Sequence, residues 1–287
     1  MVERGAERAG ARRVMTGPGG GKDGVEADAT LSPDALADAI ATGLSVIRAF
    51  DASRPALTLD EVGERSGLAV GTARHALDAL GRLGYVRDEA RAYALTPRVL
   101  ELGVGYLSSL GLPAVAQPHL ERLSQELGES ASAAVLDGGE IVYVARAAAR
   151  RITSVRIAVG TRLPVHATAM GRVLLARLPE ESRERVLRTA HLAASTPRTV
   201  TDPDALREIL RGTLLRGWTE VDGELEDGLR SIAVPVRGAY GVDAAIGVAT
   251  VSGRSGLDTA TAVERLSTAA RAIEDDLRAV ALGRDAG

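Results

Sequence analysis

The segment from Leu57 to Thr96 constrains this chain more than any other. Thr58 and Glu61 have the Thr-x-x-Glu spacing of a capping box, in which two hydrogen bonds start an α-helix. Gly67 then permits the left-handed turn that ends this short helix. Apolar residues at helical spacing predict a second helix and its buried face, which are Ala73, Ala76, Leu77, Leu80 and Leu83.

A β-hairpin is predicted after the second helix. Gly84 ends the helix, and strands at residues 85–87 and 93–95 are joined by a turn at residues 88–91. Two helices and a hairpin in this order are typical of a winged helix-turn-helix, whose second helix enters the major groove of DNA. The opposite face of that helix carries residues small or polar enough to approach base edges, namely Gly71, Thr72, Arg74, His75 and Asp78.

Charge alone does not establish DNA binding. Between Leu36 and Leu100 there are eight arginines and eight acidic residues, so the segment has no net charge, although phosphate contacts require clustered basic residues. Four arginines do follow the second helix and the hairpin: Arg74, Arg82, Arg87 and Arg91. The alternative is a small α/β core that binds no nucleic acid, and the pattern favours DNA binding over it.

Composition excludes several classes of protein. The 287 residues are enough for two domains, and the absence of cysteine excludes disulfides and thiolate chemistry. Aromatic residues make up 2% of the chain, too few for stacking single-stranded nucleic acid. No apolar run reaches the roughly 18 residues of a membrane span, and the first residues lack a secretory signal. We therefore expect a cytoplasmic protein with no membrane partner.

The chain divides into four predicted parts. Residues 1–31 lack periodicity and predict a disordered tail. Residues 32–97 make up the winged helix-turn-helix domain, residues 98–113 an apolar linker helix, and residues 114–283 a second domain. The linker helix has two interpretations, because its apolar surface suits either another subunit or the second domain.

One more helix is predicted at the start of the DNA-binding domain. It begins at Ser32 with Pro33 in its first turn, a common helix-start signal. Four of its apolar residues are expected to face the core: Ile40, Leu44, Ile47 and Phe50.

The second domain has an α+β pattern. Strands are predicted at residues 132–136, 140–146, 154–159, 218–221, 231–236 and 244–251. Helices are predicted at residues 118–127, 170–176, 202–217 and 257–281. Asp137-Gly138-Gly139 supplies a tight turn between the first two strands. Antiparallel strands bracketed by helices predict a sensor-like domain rather than a doubly wound sheet.

Three strings in the second domain are specific enough to indicate a family. They read AVLDG with IVYVAR (134–138 and 141–146), GTRLPVHATAMGR (160–172) and ELEDGLRSIAVPV (224–236). With the winged helix, they resemble the IclR family of bacterial transcriptional regulators over Leu36 to Ala281. Arg150-Arg151-Ile152 and Gln117-Pro118-His119-Leu120 are similar to the branch that regulates aromatic-acid catabolism through the β-ketoadipate pathway.

The resemblance implies a regulator that binds operator DNA as a homodimer, in some members as a dimer of dimers. It implies a linker helix used in dimerisation and a GAF-like domain that binds a small organic acid. The implied major-groove contacts are Gly71, Thr72, Arg74, His75 and Asp78, with Arg87 and Arg91 on the wing. Ala69 and Val70 stand where the family often has Ser or Thr, so hydroxyls that could cap this helix are missing.

The resemblance also places the effector between the sheet and the helix that begins near Thr168. Backbone N–H groups at a helix start favour an anion, so Thr168, Ala169 and Met170 are expected to meet a carboxylate. Gly247 and Ala249 stand where relatives often carry Ser or Asn, which indicates a larger, less polar effector or the use of other donors. The further candidates on or near the sheet are Tyr143, Arg146, Arg162, Ser231, Gly247 and Ala249.

Other residues have simpler explanations. A lone His166 near an apolar turn is expected to be a hydrogen-bonded core residue, and Arg230 is expected to tie down a loop. Asp222, Glu224 and Glu226 form an acidic cluster, but no histidine is near them in sequence and such acids are usually solvated. We therefore expect neither a metal nor a cofactor.

Two other functions compete with the regulator. An enzyme acting on a small carboxylic acid could use the same α/β domain, but the chain has no Cys, no Gly-x-Ser-x-Gly string and no phosphate loop. A dimerisation scaffold with a filled pocket is the third possibility, and the small residues Gly247 and Ala249 argue against it because they leave space.

Overall fold

The computed structural model describes residues 32–284 except 52, 90, 150–156, 239–243 and 254–256. The chain divides into two compact units, of which the first ends at Val99 and the second begins at Leu100. The predicted tail, residues 1–31, lies outside the described residues, as does part of the predicted strand 154–159.

The described part of the first unit contains three α-helices and a small antiparallel sheet, and a 3-10 helix (Pro97–Leu100) follows the sheet. Its helices are α1 (Pro33–Arg48), α2 (Leu59–Ser66) and α3 (Val70–Arg82), and its strands are β1 (Ala56–Leu57), β2 (Val86–Glu89) and β3 (Ala92–Leu95). Strand β3 lies between β1 and β2. The capping box is confirmed, because Thr58 and Glu61 each accept a hydrogen bond from the other's amide. Gly67 ends α2 with a φ of 71°.

Three core predictions for this unit are wrong. Ile40 and Leu44 are 55% and 49% exposed, because α1 contributes to the core only near its end, at Val46 and Ile47, with Ala49 and Phe50 just beyond it. The first turns of α1 therefore leave an apolar row open. Leu83 is 57% exposed, because it is the C-cap residue after the last turn of α3. Sequence reasoning also missed β1, which is too short to show an alternating pattern.

The second unit begins with two consecutive helices. Helix α4 (Glu101–Leu110) ends at Gly111, whose φ is 63°, and α5 (Leu112–Leu127) follows directly. Helix α5 starts earlier than predicted, at Leu112, so that Pro118 lies inside it rather than at its start. Among the described residues no single helix is long and apolar enough to cross a membrane, although one pair bent by 94°, Pro97–Leu107 with Leu112–Leu127, meets the length and composition criteria together.

The rest of the second unit is a six-stranded antiparallel sheet between two helical layers. The strands are β4 (Ser130–Asp137), β5 (Glu140–Ala147), β6 (Arg162–Pro164), β7 (Thr219–Asp222), β8 (Leu229–Val236) and β9 (Ala244–Val251). The remaining helices are α6 (Ala169–Arg177), α7 (Glu180–Thr189), α8 (Pro203–Arg216) and α9 (Thr259–Arg284). The strand order is β6-β5-β4-β9-β8-β7. Helices α5 and α9 cover one face, and α6, α7 and α8 cover the other.

This architecture confirms the predicted α+β fold class, with two differences in detail. The third strand is at Arg162–Pro164, whereas residues 157–159 of the predicted strand are irregular. Helix α7 was not predicted, because its charged sequence has few apolar positions to show helical periodicity.

Gly171 holds α6 against the preceding loop. A Cβ added there would lie 2.2 Å from the Val165 carbonyl oxygen and 2.6 Å from Thr168 Oγ1. We expect Gly171→Ala to lower the free energy of unfolding of the second unit by about 3 kcal/mol, because rigid backbone must move. Chemical denaturation measures the change.

The matched control is Gly212→Ala in α8, where the nearest atom is the flexible end of Arg216 at 3.0 Å. This control should change the free energy of unfolding by less than about 1 kcal/mol. Equal effects of the two substitutions would contradict the role assigned to Gly171.

Candidate functional site

The exposed face of α3 carries the predicted DNA contacts. Gly71, Thr72, Arg74, His75 and Asp78 are all exposed, whereas the opposite face is buried in the core. The N-cap residue of α3 makes no side-chain cap hydrogen bond, so the amides of its first turn remain open to a phosphate.

The hairpin adds two exposed arginines. Arg87 Nε lies 2.8 Å from Glu89 Oε1, in a solvent-exposed pair that contributes little to stability and leaves the guanidinium accessible. Arg91 is exposed in the turn between β2 and β3. This turn is shorter than predicted, because Asp88 and Glu89 belong to β2 and pair with β3. The wing and the exposed face of α3 thus both present the residues expected to contact DNA.

A cavity in the second unit opens between the sheet and the start of α6. The volume open to the centre of a water molecule is about 30 Å³, and all the space between the lining atoms and the open mouth amounts to about 430 Å³. The predicted effector residues that line it are Tyr143, Arg146, Thr168, Ala169, Met170, Ser231, Gly247 and Ala249. Sequence reasoning missed six lining residues, which are Ser132, Ile157, Leu225, Leu229, Ile232 and Val248.

Strand register explains how these residues meet. Ser132 of β4 is opposite Arg146 on one side and Gly247 on the other. Arg146, Ser132 and Gly247 thus form one row across three strands. Two residues further along β9, Ala249 is opposite Ser231 of β8, which forms the next row. Residues far apart in sequence therefore form two adjacent rows across the sheet, and the pairing itself is the signal that could have identified Ser132.

Arg162 is the one predicted effector residue that lies outside the cavity. On the edge strand β6, its Nε is 2.7 Å from Glu140 Oε2 and its Nη2 is 2.7 Å from Asp137 Oδ2. Hydrogen bonds to Glu140 and then Asp137 raise the pKa of Arg162. The expectation for Arg162 is therefore corrected: it joins β6 to the turn between β4 and β5.

Arg146 supplies the positive charge of the cavity. Its two terminal nitrogens each lie 3.3 Å from a serine hydroxyl, on Ser132 and Ser130. Burial lowers the pKa of this half-buried guanidinium, and it has no carboxylate partner among the described residues. Because buried cations are ordinarily paired, Arg146 is suited to bind an anion.

Tyr143 supplies a neutral phenol beside this cation. Burial raises the pKa of Tyr143 to about 12, against the opposing effect of Arg146. The phenol therefore stays protonated at neutral pH and remains a hydrogen-bond donor.

The start of α6 forms the opposite wall. The hydroxyl of Thr168 is occupied, since it accepts from the Gly171 amide at 3.2 Å and donates to the Pro164 carbonyl at 3.0 Å. The amides of Ala169 and Met170 belong to the first turn, which has no intrahelical acceptors for them. This wall can therefore offer backbone donors to an anion.

The space expected at Gly247 is already filled. A Cβ there would lie 3.1 Å from Met170 Cγ and 2.9 Å from the Ile232 carbonyl oxygen. The absent side chain thus admits Met170 rather than an effector, and the open volume lies elsewhere in the cavity.

The simpler explanations for His166 and Arg230 are confirmed. His166 is fully buried, its Nε2 lies 3.0 Å from the Ala193 carbonyl oxygen, and burial lowers its pKa. Arg230 binds Glu220 at 2.6 Å and the Leu257 carbonyl at 2.9 Å, which ties β8 to the segment before α9.

Glu224 differs from its expected solvated state. It is buried and pairs with Arg172, with 2.6 Å between Oε2 and Nη2. Within the described ranges, no group of three histidine, aspartate or glutamate side chains could hold a metal ion.

Together, these features define a class of protein, a DNA-binding regulator with a separate small-molecule domain. Its sequence matches the bacterial transcriptional regulator IclR C-terminal domain over residues 104–275 and the IclR helix-turn-helix domain over residues 39–90. The chain belongs to the IclR family of bacterial transcriptional regulators. The relatives matched are named as regulators rather than enzymes.

Two relatives and one solved structure show what this chain is similar to. The chain is 44% identical over 227 residues to the Pca regulon regulatory protein of Pseudomonas putida, covering 78% of each chain. It is 36% identical over 208 residues to the p-hydroxybenzoate hydroxylase transcriptional activator of Acinetobacter baylyi, covering 71% of this chain and 77% of the relative. A crystal structure of an IclR homologue complexed with 4-hydroxybenzoate, from Microbacterium hydrocarbonoxydans, has a TM-score of 0.75 at 34% identity, covering 84% of this chain and 99% of that one.

Substitution of Arg74 tests the assignment of the α3 face. We expect Arg74→Ala to weaken binding to an operator selected in vitro by the wild-type protein at least about tenfold, because a base contact of arginine is lost. Fluorescence anisotropy gives the affinity, and circular dichroism checks the fold.

Arg185→Ala serves as the control, because Arg185 is an exposed arginine of α7 that pairs only with Glu181 among the described residues. It should leave operator affinity within about twofold. Unchanged affinity of Arg74→Ala would contradict the assignment of α3 as the recognition helix.

Proposed function

We propose that this regulator senses an aromatic carboxylic acid of the hydroxybenzoate type in the cavity of its second unit. The observation that carries the proposal is Arg146, a half-buried cation that faces the cavity without a carboxylate partner among the described residues. The names of the relatives and the ligand of the Microbacterium structure support the same class of effector.

The cavity lining suits each part of such an acid. The carboxylate is bound by the amides of Ala169 and Met170, with Arg146 supplying the charge. The ring packs on the apolar side chains of the cavity, and a phenolic group of the acid meets hydroxyl groups of Tyr143 and Ser231. Thr168, Gly247 and Ala249 shape the walls of this site.

A dicarboxylic acid is the second candidate. Two groups that favour anions, the α6 start and Arg146, line the same cavity, so an acid with two carboxylates could bridge them. The apolar side chains of the lining favour the aromatic acid, because they can pack on a ring. The same side chains would leave polar groups in the middle of a short diacid without hydrogen-bond partners.

Regulation follows from linkage. An acid that binds one conformation of the protein more tightly shifts the population toward it and changes operator affinity by the same factor. The residues of α3 and of the wing that contact operator DNA are Gly71, Thr72, Arg74, His75, Asp78, Arg87 and Arg91. We propose that this regulation takes place in the cytoplasm. The proposed DNA-binding domain is residues 32–97, the linker helix residues 98–113 and the effector domain residues 114–283.

Ala169→Leu tests the cavity. Ala169 is buried in the cavity wall, so a leucine there would occupy effector space. We expect the concentration of 4-hydroxybenzoate needed for half of the change in operator binding to rise at least about tenfold. Operator affinity without the acid should stay within about twofold, since α3 is untouched.

Anisotropy titrations of operator DNA at increasing 4-hydroxybenzoate measure both quantities. A response to β-ketoadipate and not to 4-hydroxybenzoate would favour the second candidate. An unchanged dose–response of the variant would remove Ala169 from the site.

The protein also acts as a homodimer in our proposal, which allows for a dimer of dimers. Leu36, Ile40 and Leu44 recur every four residues on α1 and leave an apolar row exposed. Four more apolar side chains are exposed at the start of the second unit, at Leu100, Leu102, Val104 and Tyr106. Exposed apolar surfaces of this kind are suited to pack against the same surfaces of a second copy.

We expect Ile40→Glu to weaken self-association at least about tenfold, because a charge would enter the apolar contact. Sedimentation velocity over a range of concentrations measures the dimer. The control is Leu215→Glu on α8, where the leucine is already 88% exposed. If both variants stay dimeric at the wild-type concentration, the α1 row is not the interface.

A further inference from the structure

The buried pair of Arg172 and Glu224 joins two walls of the cavity that are distant in sequence. Arg172 lies on α6, whose first residues line one wall, and Glu224 directly precedes Leu225, which lines the other. Their side chains are only 3% and 10% exposed, and Nη2 and Oε2 are 2.6 Å apart.

Each partner is also bound to backbone. Arg172 Nε donates to the His166 carbonyl at 2.7 Å, which fixes the chain entering α6. Glu224 Oε2 accepts from the Val200 amide at 2.9 Å. The pair thus connects the loop before α6, helix α6 and the segment that carries Leu225.

Residues 223–228, between β7 and β8, are irregular, so strand pairing does not fix Leu225. Hydroxyl groups hold this connection near Glu224: Thr196 donates to the Gly223 carbonyl and Thr199 to the Glu224 carbonyl, each at 2.6 Å. The side-chain bonds around Glu224 therefore add to the backbone bonds that hold the segment carrying Leu225.

Stability alone does not explain an ion pair at this place. Burying two charges requires desolvation that their attraction only partly offsets, and a well-packed apolar pair can be equally stable. A buried, hydrogen-bonded pair does, however, fix geometry more sharply than apolar packing does.

We propose that Arg172 and Glu224 are positioning residues of the effector cavity, whose ion pair fixes the Leu225 wall against the start of α6. This inference rests on the proposed function for its consequence, which is effector affinity. The anchoring itself is testable without any effector.

The first experiment uses the absence of cysteine from the chain. Leu225→Cys introduces a single thiol, and its reaction rate with a soluble disulfide reagent reports how often this wall opens. Adding Glu224→Gln should raise the rate at least about tenfold, because the anchor is weakened. An unchanged rate would overturn the proposal.

Glu184→Gln is the matched control. It makes the same chemical change in the Arg207–Glu184 pair of α8 and α7, where Nη2 and Oε2 are 2.7 Å apart. Added to Leu225→Cys, it should leave the labelling rate unchanged. An equal rise in both backgrounds would show a general loss of stability and would overturn the proposal.

A double substitution, Arg172→Met with Glu224→Leu, separates anchoring from stability. We expect its melting temperature to be at least that of Glu224→Gln, while labelling at Leu225→Cys stays fast. Slow labelling in this background would assign the anchoring to packing and would overturn the role of the ion pair.

Calorimetric titration with 4-hydroxybenzoate measures the consequence. Glu224→Gln should bind the acid at least about tenfold more weakly than the wild type, whereas the control Glu184→Gln should bind it as the wild type does. Equal affinity of variant and wild type would overturn the proposal. A wild type that binds no 4-hydroxybenzoate would contradict only the proposed function, because the labelling result does not depend on it.

Discussion

Arg146 and the strand register that places it determine the character of the second unit. The guanidinium is half-buried, and serine hydroxyls rather than carboxylates hold it. A cation taken from water into such a place requires a compensating anion or solvent. The antiparallel register then brings Ser132 and Gly247 into line with Arg146, and helix α6 closes the space above them. These positions produce a small-molecule cavity in which Arg146 supplies a positive charge.

The first unit is organised by a different principle. Its core uses one face each of α2 and α3 and only the end of α1, so polar residues of α3 and apolar residues of α1 remain exposed. The exposed polar residues of α3 are those proposed to contact DNA, whereas the exposed apolar row of α1 suits a protein partner. In our proposal, one small domain thus has separate surfaces for DNA and for self-association.

Local signals in the sequence predicted much of this structure. The capping box at Thr58 and the turn at Gly67 depend only on neighbouring residues, and both are confirmed. The last strand in the chain, β9 (Ala244–Val251), was also predicted with its correct bounds, because most of its residues are apolar. Elements with a strong local pattern are those that sequence reasoning placed correctly.

Features that depend on tertiary contacts were not predictable in the same way. Arg162 has a suitable charge, but its ion pairs with Asp137 and Glu140 become visible only when β6 is paired. The small size of Gly247 indicated open space, and Met170 of another element fills it. Leu225 lies on an irregular connection without any periodic pattern, so its place in the cavity required the fold.

The most direct test of this account is a crystal structure of the protein with 4-hydroxybenzoate. The account predicts one acid molecule per chain in the cavity, with its carboxylate at the α6 start on the side that faces Arg146, and its ring against the apolar lining. An empty cavity at saturating acid, or an acid bound elsewhere in the second unit, would contradict it.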